Sequence, residues 1–331
     1  MIRIAVVIIA LLIVPLCQAD MSTTKPAWME PTPEVDREVP RYDRLPDLSG
    51  TIHSVGSPTT NALIWAWAED FKKLYPKVEF DLKGGRSATV LPAMLGKTPP
   101  NVGSMSRLMS DDEVASFKKQ FGYEPTAIRV AVNAIGVFVN ADNECPGLTF
   151  AQLDAIFSRT FKAGHKAIYT WGEAGLRGDW ENERILPYSL DVERGEYATF
   201  KSKVLLDGEF RYDVKTELTV SGILQDVAVD RGSIGYASML YRTRRARPLA
   251  IQAADGKFYE PTYDNCESQR YPLAGFLYIY INKPPGRPLD RPTREFLTFA
   301  CCQLGQELAA REGAFPLTAK LAREQLDLIG K

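Results

Sequence analysis

The stretch TIHSVGSPTTNALIWAWAEDFKKLYPKVEFDL, residues 51–82, decides the fold class because it changes its hydrophobic period twice. Residues 51–55 are typical of a strand, and residues 61–75 carry apolar side chains every three or four positions, which predicts a helix that ends before Pro76. Residues 78–82 return to strand alternation. Strands that alternate with helices predict parallel pairing in an α/β sheet.

The same alternation continues to the end of the chain. The further predicted strands are at 102–106, 185–190, 233–237 and 276–282, and the further helices at 87–95, 195–205, 221–229 and 294–310. Thr149 and Gln152 have the spacing of a capping box, which predicts a helix that runs to Phe157. Residues 128–140 are rich in β-formers and are too long for one simple strand.

The N-terminal residues are predicted to stand outside the fold. A basic start, a 13-residue apolar run at 4–16 and small residues before Ala19 are typical of a secretory signal peptide at 1–19. The run is short of the roughly 20 residues that span a membrane, although an uncleaved anchor is the alternative. Residues 20–46 carry five prolines among scattered charges, which predicts an extended, disordered leader outside the core.

Composition limits the classes of function. The 331 residues suggest about two domains, and 40 basic against 41 acidic residues give a net charge of −1, which does not support a nucleic-acid binder. The two histidines, His53 and His165, are far apart in sequence, which argues against histidine-based metal catalysis. We therefore expect a soluble, exported globular protein with no cofactor.

Export permits disulfide bonds between the cysteines that follow the signal peptide. An even number remains, namely Cys145, Cys266, Cys301 and Cys302. A Cys145–Cys266 bridge is one pairing, but the sequence leaves the connectivity open. None of these cysteines has the C-x-x-C spacing of a metal site.

Three polar loops follow predicted strands and could bind an anion. They are Gly56-Ser57-Pro58-Thr59-Thr60, then Gly84-Gly85-Arg86-Ser87-Ala88-Thr89, then Ser104-Met105-Ser106-Arg107. Hydroxyls and free N–H groups at a helix N-terminus bind anions, glycines let the backbone approach a ligand, and arginine forms a fork with an oxyanion. An ordinary N-cap, a plain turn and a solvated arginine are the simpler explanations of the three loops, taken singly. Together they predict an oxyanion site beyond the strand ends, without a metal.

With these loops in view, the chain resembles the phosphate-binding-protein family, the periplasmic substrate-binding subunits of phosphate ABC transporters. The resemblance covers about residues 50–317. The matching stretches are GSPT (56–59), WAEDF (67–71), YPKV (75–78), GGRSAT (84–89), SRLM (106–109), LTFAQLDAIFS (148–158), IGYA (234–237), YPL (271–273) and LYIYIN (277–282).

The resemblance implies a two-lobe α/β periplasmic binding protein fold of type II, with mixed sheets flanked by helices. Two hinge crossings would lie at 128–140 and 272–278. The first lobe would be discontinuous, 47–130 plus 273–331, and the second lobe would be 131–272. The implied partners are inorganic phosphate or a similar oxyanion and, transiently, an inner-membrane ABC permease; the protein would be periplasmic and monomeric and would bind no nucleic acid.

The oxyanion contacts implied in the first lobe are Thr59, Thr60, Ser87, Ser106 and Arg107, and Thr89 supplies a further hydroxyl in the same loop as Ser87. The second lobe departs from the family pattern. Leu190 stands where the family has an arginine, and Arg194-Gly195-Glu196 replaces Ser-Gly-Thr. Glu196 is expected to repel an anion, and Arg194 to compensate from the helix start, beside Gly195. Arg86 replaces a glycine and could also point into the cleft.

Three functions follow from these residues. The first is a periplasmic solute-binding protein that captures phosphate or a related oxyanion for an ABC transporter. The second is a family member with an altered cleft that binds another ligand or acts as a sensor or scaffold, which Leu190 and Glu196 favour. An enzyme is disfavoured, because neither histidine neighbours a nucleophile motif.

Overall fold

The structure is a computed structural model that describes residues 34–330. The predicted signal peptide (1–19) and residues 20–33 of the predicted leader lie outside the described residues. Over residues 34–330, no helix combines the length and the apolar character that a membrane crossing requires.

Strands and helices alternate along most of the described chain. The strands are β1 (Gly50–Gly56), β2 (Val78–Gly84), β3 (Val102–Met105), β4 (Thr126–Asn140), β5 (Gly147–Leu148), β6 (Leu186–Leu190), β7 (Lys215–Glu217), β8 (Ser233–Ser238), β9 (Ala246–Pro248), β10 (Ala250–Gln252), β11 (Phe258–Tyr259) and β12 (Ala274–Ile281). The helices are α1 (Pro58–Leu74), α2 (Val90–Met94), α3 (Asp111–Phe121), α4 (Phe150–Phe157), α5 (Gly195–Lys203), α6 (Val220–Val229), α7 (Tyr263–Glu267), α8 (Arg291–Cys301), α9 (Gln303–Arg311) and α10 (Ala319–Ile329).

One large mixed sheet runs through the molecule in the order β2-β1-β3-β12-β4-β8-β6-β7, and β9 pairs with β4 beside it. β1 is parallel to β2 and β3, and β6 is parallel to β7 and β8, as the alternation of strands and helices predicts. β12 and β4 are antiparallel to their neighbours in the middle of the sheet. The fold is therefore the mixed α/β, two-lobe fold that the family resemblance implies.

Residues 128–140 form part of a single strand, contrary to the expectation from their length. β4 runs unbroken for 15 residues. This length is possible because the strand changes its main partner: Thr126–Ala134 pairs with β12, and Ile135–Val139 pairs with β8. β4 thus passes from one half of the molecule to the other. We call the half around β1–β3 the first lobe and the half around β6–β8 the second lobe.

Each lobe has its own aromatic core. In the first lobe Phe71 packs edge-on against Phe296 and Phe299, both from α8. In the second lobe the ring of Phe200 stacks on Tyr236 with the centroids 3.9 Å apart. Burial of each such side chain contributes about 1.5–3 kcal/mol. The lobe boundaries predicted at 47–130 plus 273–331 and at 131–272 remain a prediction.

Residues 34–46 pack on the fold, although the sequence predicts that they stay outside the core. Val39 is only 2% exposed and belongs to the apolar core of the second lobe. The hydroxyl groups of Tyr42 and Tyr75 lie 2.7 Å apart, and the Gln303 amide donates to the Pro40 carbonyl at 2.8 Å. Apolar side chains between the prolines pack against residues from distant parts of the chain. Composition alone cannot predict such contacts.

The helix predicted at 294–310 is in fact two helices. Cys302 has an extended backbone, φ −85° and ψ 169°, and separates α8 from α9. The two helices then approach so closely that a Cβ on Gly305 would lie 2.1 Å from the Phe299 carbonyl oxygen. Because the residues on both sides of Cys302 have helical periodicity, the sequence predicts one continuous helix.

The Cys145–Cys266 bridge considered from the sequence is not formed. Both residues are buried free thiols. Burial raises the pKa of each thiol above its ordinary value, which favours the protonated, unreactive form.

The packing of residues 34–46 predicts that Val39→Ala lowers the free energy of unfolding by about 2 kcal/mol, because two buried methyl groups are lost. Urea denaturation of the mature protein measures this. Val229→Ala is the matched control, since Val229 is 86% exposed and its change should stay within about 0.5 kcal/mol. Equal effects of the two substitutions would show that Val39 is not docked in solution.

Candidate functional site

The turn from β1 into α1 places two threonines at the start of a long helix. Gly56 ends the strand with φ +140°, and a Cβ there would lie 2.0 Å from the Ser104 carbonyl oxygen, so only glycine fits. The Ser57 amide donates to that same carbonyl at 2.8 Å, and Pro58 opens the helix. Thr59 and Thr60 are therefore held in the first turn, where helical N–H groups lack intrahelical partners.

Both threonine side chains are fully buried. The Thr59 hydroxyl donates to Oε1 of Glu196 at 2.8 Å, across from the first lobe to the second. The Thr60 hydroxyl has no hydrogen-bond partner within residues 34–330. The α1 terminus thus presents one hydroxyl that is engaged by a carboxylate and one that is unused.

Ser87 and Ser106 complete a cluster of hydroxyls with Thr59. The Ser106 amide donates to Ser87 Oγ at 3.2 Å, and the two hydroxyl oxygens lie 3.3 Å apart. Ser106 Oγ donates to Oε2 of Glu196 at 3.3 Å. Thr89 is placed differently: its hydroxyl bonds the backbone of Arg86 and closes the turn. We call Thr59, Ser87 and Ser106 the hydroxyl cluster.

The second lobe meets this cluster at the N-terminus of α5. A Cβ on Gly195 would lie 2.3 Å from Ser106 Oγ and 2.7 Å from Ser87 Oγ, so the absence of a side chain lets the lobes touch. Glu196 follows in the first turn of α5 and is 1% exposed. Its carboxylate lies between the two lobes with one hydroxyl on each oxygen. Leu190, at the end of β6, is buried in the apolar core.

The arginines that the sequence associates with the site bind protein groups. Arg107 forms a two-pronged ion pair with Glu113, with N–O distances of 2.6 and 2.9 Å. Arg194 donates to the Leu218 carbonyl, and its buried Nε has no partner in the described part of the chain. Within residues 34–330, neither guanidinium forms an ion pair with Glu196.

Arg86 also forms a contact between the lobes. Its guanidinium pairs with Glu193, and its Nε lies 3.8 Å from Oδ1 of Asp191. Both carboxylates precede α5 in the second lobe. The prediction that Arg86 could face the cleft is consistent with this position, but its charge is matched by the second lobe.

Tyr241 belongs to the surroundings of the site and is not identified by sequence reasoning. Burial raises the pKa of Tyr241, and the negative charge of Glu196 raises it further, while its hydrogen bond to Thr59 and the charge of Arg194 oppose the shift. The phenol is therefore a neutral neighbour of the carboxylate. The turn after β8 carries no motif that would have identified this tyrosine.

A cavity of about 880 Å³ begins beside the hydroxyl cluster. It runs from Ser106 and Arg107 between the lobes towards Phe276 and Tyr278, and Lys203 of α5 borders it. Burial lowers the pKa of Lys203. The cleft between the lobes therefore remains open on one side of the site.

Fold and site together define a two-lobe binding protein with an anion-accepting cluster between the lobes. A sequence model of the PBP superfamily domain matches residues 45–303. The phosphate-binding protein PstS of Pseudomonas aeruginosa is 37% identical over 298 residues, which cover 89% of this chain and 92% of that protein. The chain belongs to the PBP superfamily and, within it, to the family of the PstS phosphate-binding proteins.

Solved structures show the same fold. A possible phosphate-binding protein from Planctomyces limnophilus superposes with a TM-score of 0.62 at 23% identity, covering 86% of this chain and all of that one. A putative phosphate ABC transporter substrate-binding protein from Clostridium perfringens, solved with bound phosphate, gives a TM-score of 0.65 at 20% identity, covering 81% of this chain and all of that one.

The Arg107–Glu113 pair predicts a pH dependence of stability. Burial tends to raise the pKa of Glu113, but hydrogen bonds from Arg107 and Ser110 outweigh it and hold the pKa below its ordinary value. A lowered folded-state pKa stabilises the protein above the usual glutamate pKa, about 4.3, and this stability is lost as the pH falls through the lower folded value.

Glu113→Gln should therefore lower the free energy of unfolding at pH 7, and its difference from wild type should shrink as the pH falls below about 4. Urea titrations from pH 7 to pH 3 measure this. A difference that stays constant over that range would contradict the assignment.

Proposed function

We propose that the protein is a periplasmic solute-binding protein that captures phosphate or a related oxyanion in the cleft between its lobes. It would deliver the ligand, as a monomer, to an ABC permease in the inner membrane. The name of the 37% identical relative and its coverage of most of this chain support the proposal. The chemistry is binding and release, with no bond made or broken in the ligand.

One observation carries this function: the hydroxyl cluster holds an oxyanionic group in the structure. Thr59 and Ser106 each donate to one oxygen of the Glu196 carboxylate. The N-termini of α1 and α5 add the positive ends of their peptide dipoles. The same donors can bind the oxygens of phosphate, and no metal is required for that contact.

We assign the roles as follows. Thr59, Thr60, Ser87 and Ser106 would donate hydrogen bonds from the first lobe, and Gly195 would let the backbone of α5 approach the ligand. Arg107 and Arg194 would supply positive charge at the rim, while Thr89 would keep the Ser87 turn in shape. The cavity that opens at Ser106 and Arg107 would be the route by which the ligand enters.

A second function is favoured by one observation. Glu196 takes the donors that a free oxyanion would need, and Leu190 contributes no charge. A protein of this kind could bind another ligand or act as a sensor or scaffold. Catalysis is not proposed, because the contacts of the two histidines are not to a nucleophile. His53 contacts Asp81, and His165 contacts the carbonyl oxygen of Lys166.

Titration calorimetry of the mature protein with phosphate, arsenate, sulfate and molybdate separates the two functions. Transport predicts saturable heat with phosphate or a close analogue. The absence of heat with every oxyanion at millimolar concentration would reject the transport function and leave the sensor or scaffold.

A pair of substitutions tests the arginines. Arg194→Ala and Arg107→Ala should weaken oxyanion binding to a similar extent, about tenfold or more, because each removes a cation near the ligand. Calorimetry with the best ligand measures both. Arg231→Ala is the control, since its guanidinium stacks on Trp180 and pairs with Glu183. An unchanged affinity in Arg194→Ala would reject that residue's role.

A further inference from the structure

Glu196 has an unusual environment for a carboxylate. It is 1% exposed, it comes from the second lobe, and both hydroxyls that donate to it come from the first lobe. A buried carboxylate is costly unless its oxygens are bonded, and here each oxygen receives one hydrogen bond across the cleft. Glu196 therefore depends on the lobes being together.

The donors cannot serve two anions at once. A hydroxyl has one proton, so Thr59 and Ser106 donate either to Glu196 or to a free oxyanion. Space is also occupied, because Gly195 lies so close that a single added carbon would meet Ser87 Oγ and Ser106 Oγ. The carboxylate thus takes the hydrogen bonds of the anion position, and the backbone of α5 closes the space beside Ser87 and Ser106.

Two of the nearby arginines are paired with other carboxylates, whereas Arg194 donates to the Leu218 carbonyl. Among residues 34–330, Glu196 forms no ion pair within 4.0 Å, Arg107 is paired with Glu113, and Arg86 with Glu193. A dianion that entered beside Glu196 would meet a like charge at short range in a site of low dielectric. Binding of a free oxyanion therefore requires the carboxylate to leave.

We propose that Glu196 is an internal ligand, whose carboxylate occupies the oxyanion position and holds the two lobes closed without a bound solute. This inference rests on the proposed oxyanion site and adds its regulation. Free phosphate binds only the fraction of molecules in which Glu196 has withdrawn, so the apparent dissociation constant rises in inverse proportion to that fraction.

The Arg86–Glu193 contact between the lobes is weaker. The Arg86 side chain is 37% exposed and its partner Glu193 is 49% exposed, and exposed ion pairs contribute little because water screens them. Closure should therefore depend on Glu196 far more than on Arg86. This difference gives the experiment its comparison variant.

The test uses the mature protein and four variants: Glu196→Ala, Glu196→Gln, Arg86→Ala and, as a matched control, Glu181→Gln at an exposed position. Small-angle scattering gives the radius of gyration with and without inorganic phosphate, and calorimetry gives the affinity. Glu196→Gln keeps the volume and loses the charge, so it serves where the alanine variant does not fold.

If Glu196 is an internal ligand, the wild-type protein should be compact without ligand, and added phosphate should leave its radius of gyration unchanged. The Glu196→Ala variant should be expanded without ligand and compact with phosphate. It should bind phosphate at least about tenfold more tightly than wild type. Glu196→Gln should shift in the same direction, whereas Arg86→Ala and Glu181→Gln should resemble wild type.

Two results would overturn the inference: a ligand-free wild type as expanded as Glu196→Ala, or equal expansion in Arg86→Ala and Glu196→Ala. A different result would overturn the proposed transport function and leave the closure mechanism intact. In that result, Glu196→Ala opens the molecule but no variant binds phosphate or another oxyanion.

Discussion

The architecture depends on the continuous hydrogen bonding of β4, which pairs with β12 over Thr126–Ala134 and with β8 over Ile135–Val139. Because the strand does not break where its partner changes, the two lobes share one sheet. A bulge at Val130 of β4, opposite Leu277 and Tyr278 of β12, shifts the register beside this passage, and bulges bend the bulged strand and increase its twist. The cleft lies beside these strands, since Asn133 and Tyr278 line its cavity.

Within this frame, the state of the cleft is set by how a buried negative charge is satisfied. Like-charge repulsion would exclude Glu196 from an occupied anion site, but the structure places its carboxylate where the hydroxyl cluster can donate to it. The cost of burying the charge is offset by these hydrogen bonds and by the helix N-termini. One residue therefore links the chemistry of the site to the arrangement of the lobes.

Local signals in the sequence predicted most elements correctly. The Thr149–Gln152 capping box is present with both reciprocal bonds, at 3.0 and 3.1 Å, and opens α4 as predicted. Helix α3 is absent from the elements that the sequence predicts, although Ser110 and Glu113 form the same kind of box. The errors share a physical origin: the break at Cys302 and the docking of Val39 depend on residues far away in sequence, and hydrophobic periodicity carries no information about those partners.

The candidate site shows the same division. The sequence by itself determined that three polar loops follow strands and that Glu196 lies at the start of a helix, because residue types and their spacing are local properties. Only the tertiary structure decided that Arg107 pairs with Glu113, that Arg194 bonds a carbonyl, and that Glu196 reaches Thr59. A side chain's partner is chosen by competition among all groups that folding brings within a few ångströms, and Thr59 and Glu196 are 137 positions apart.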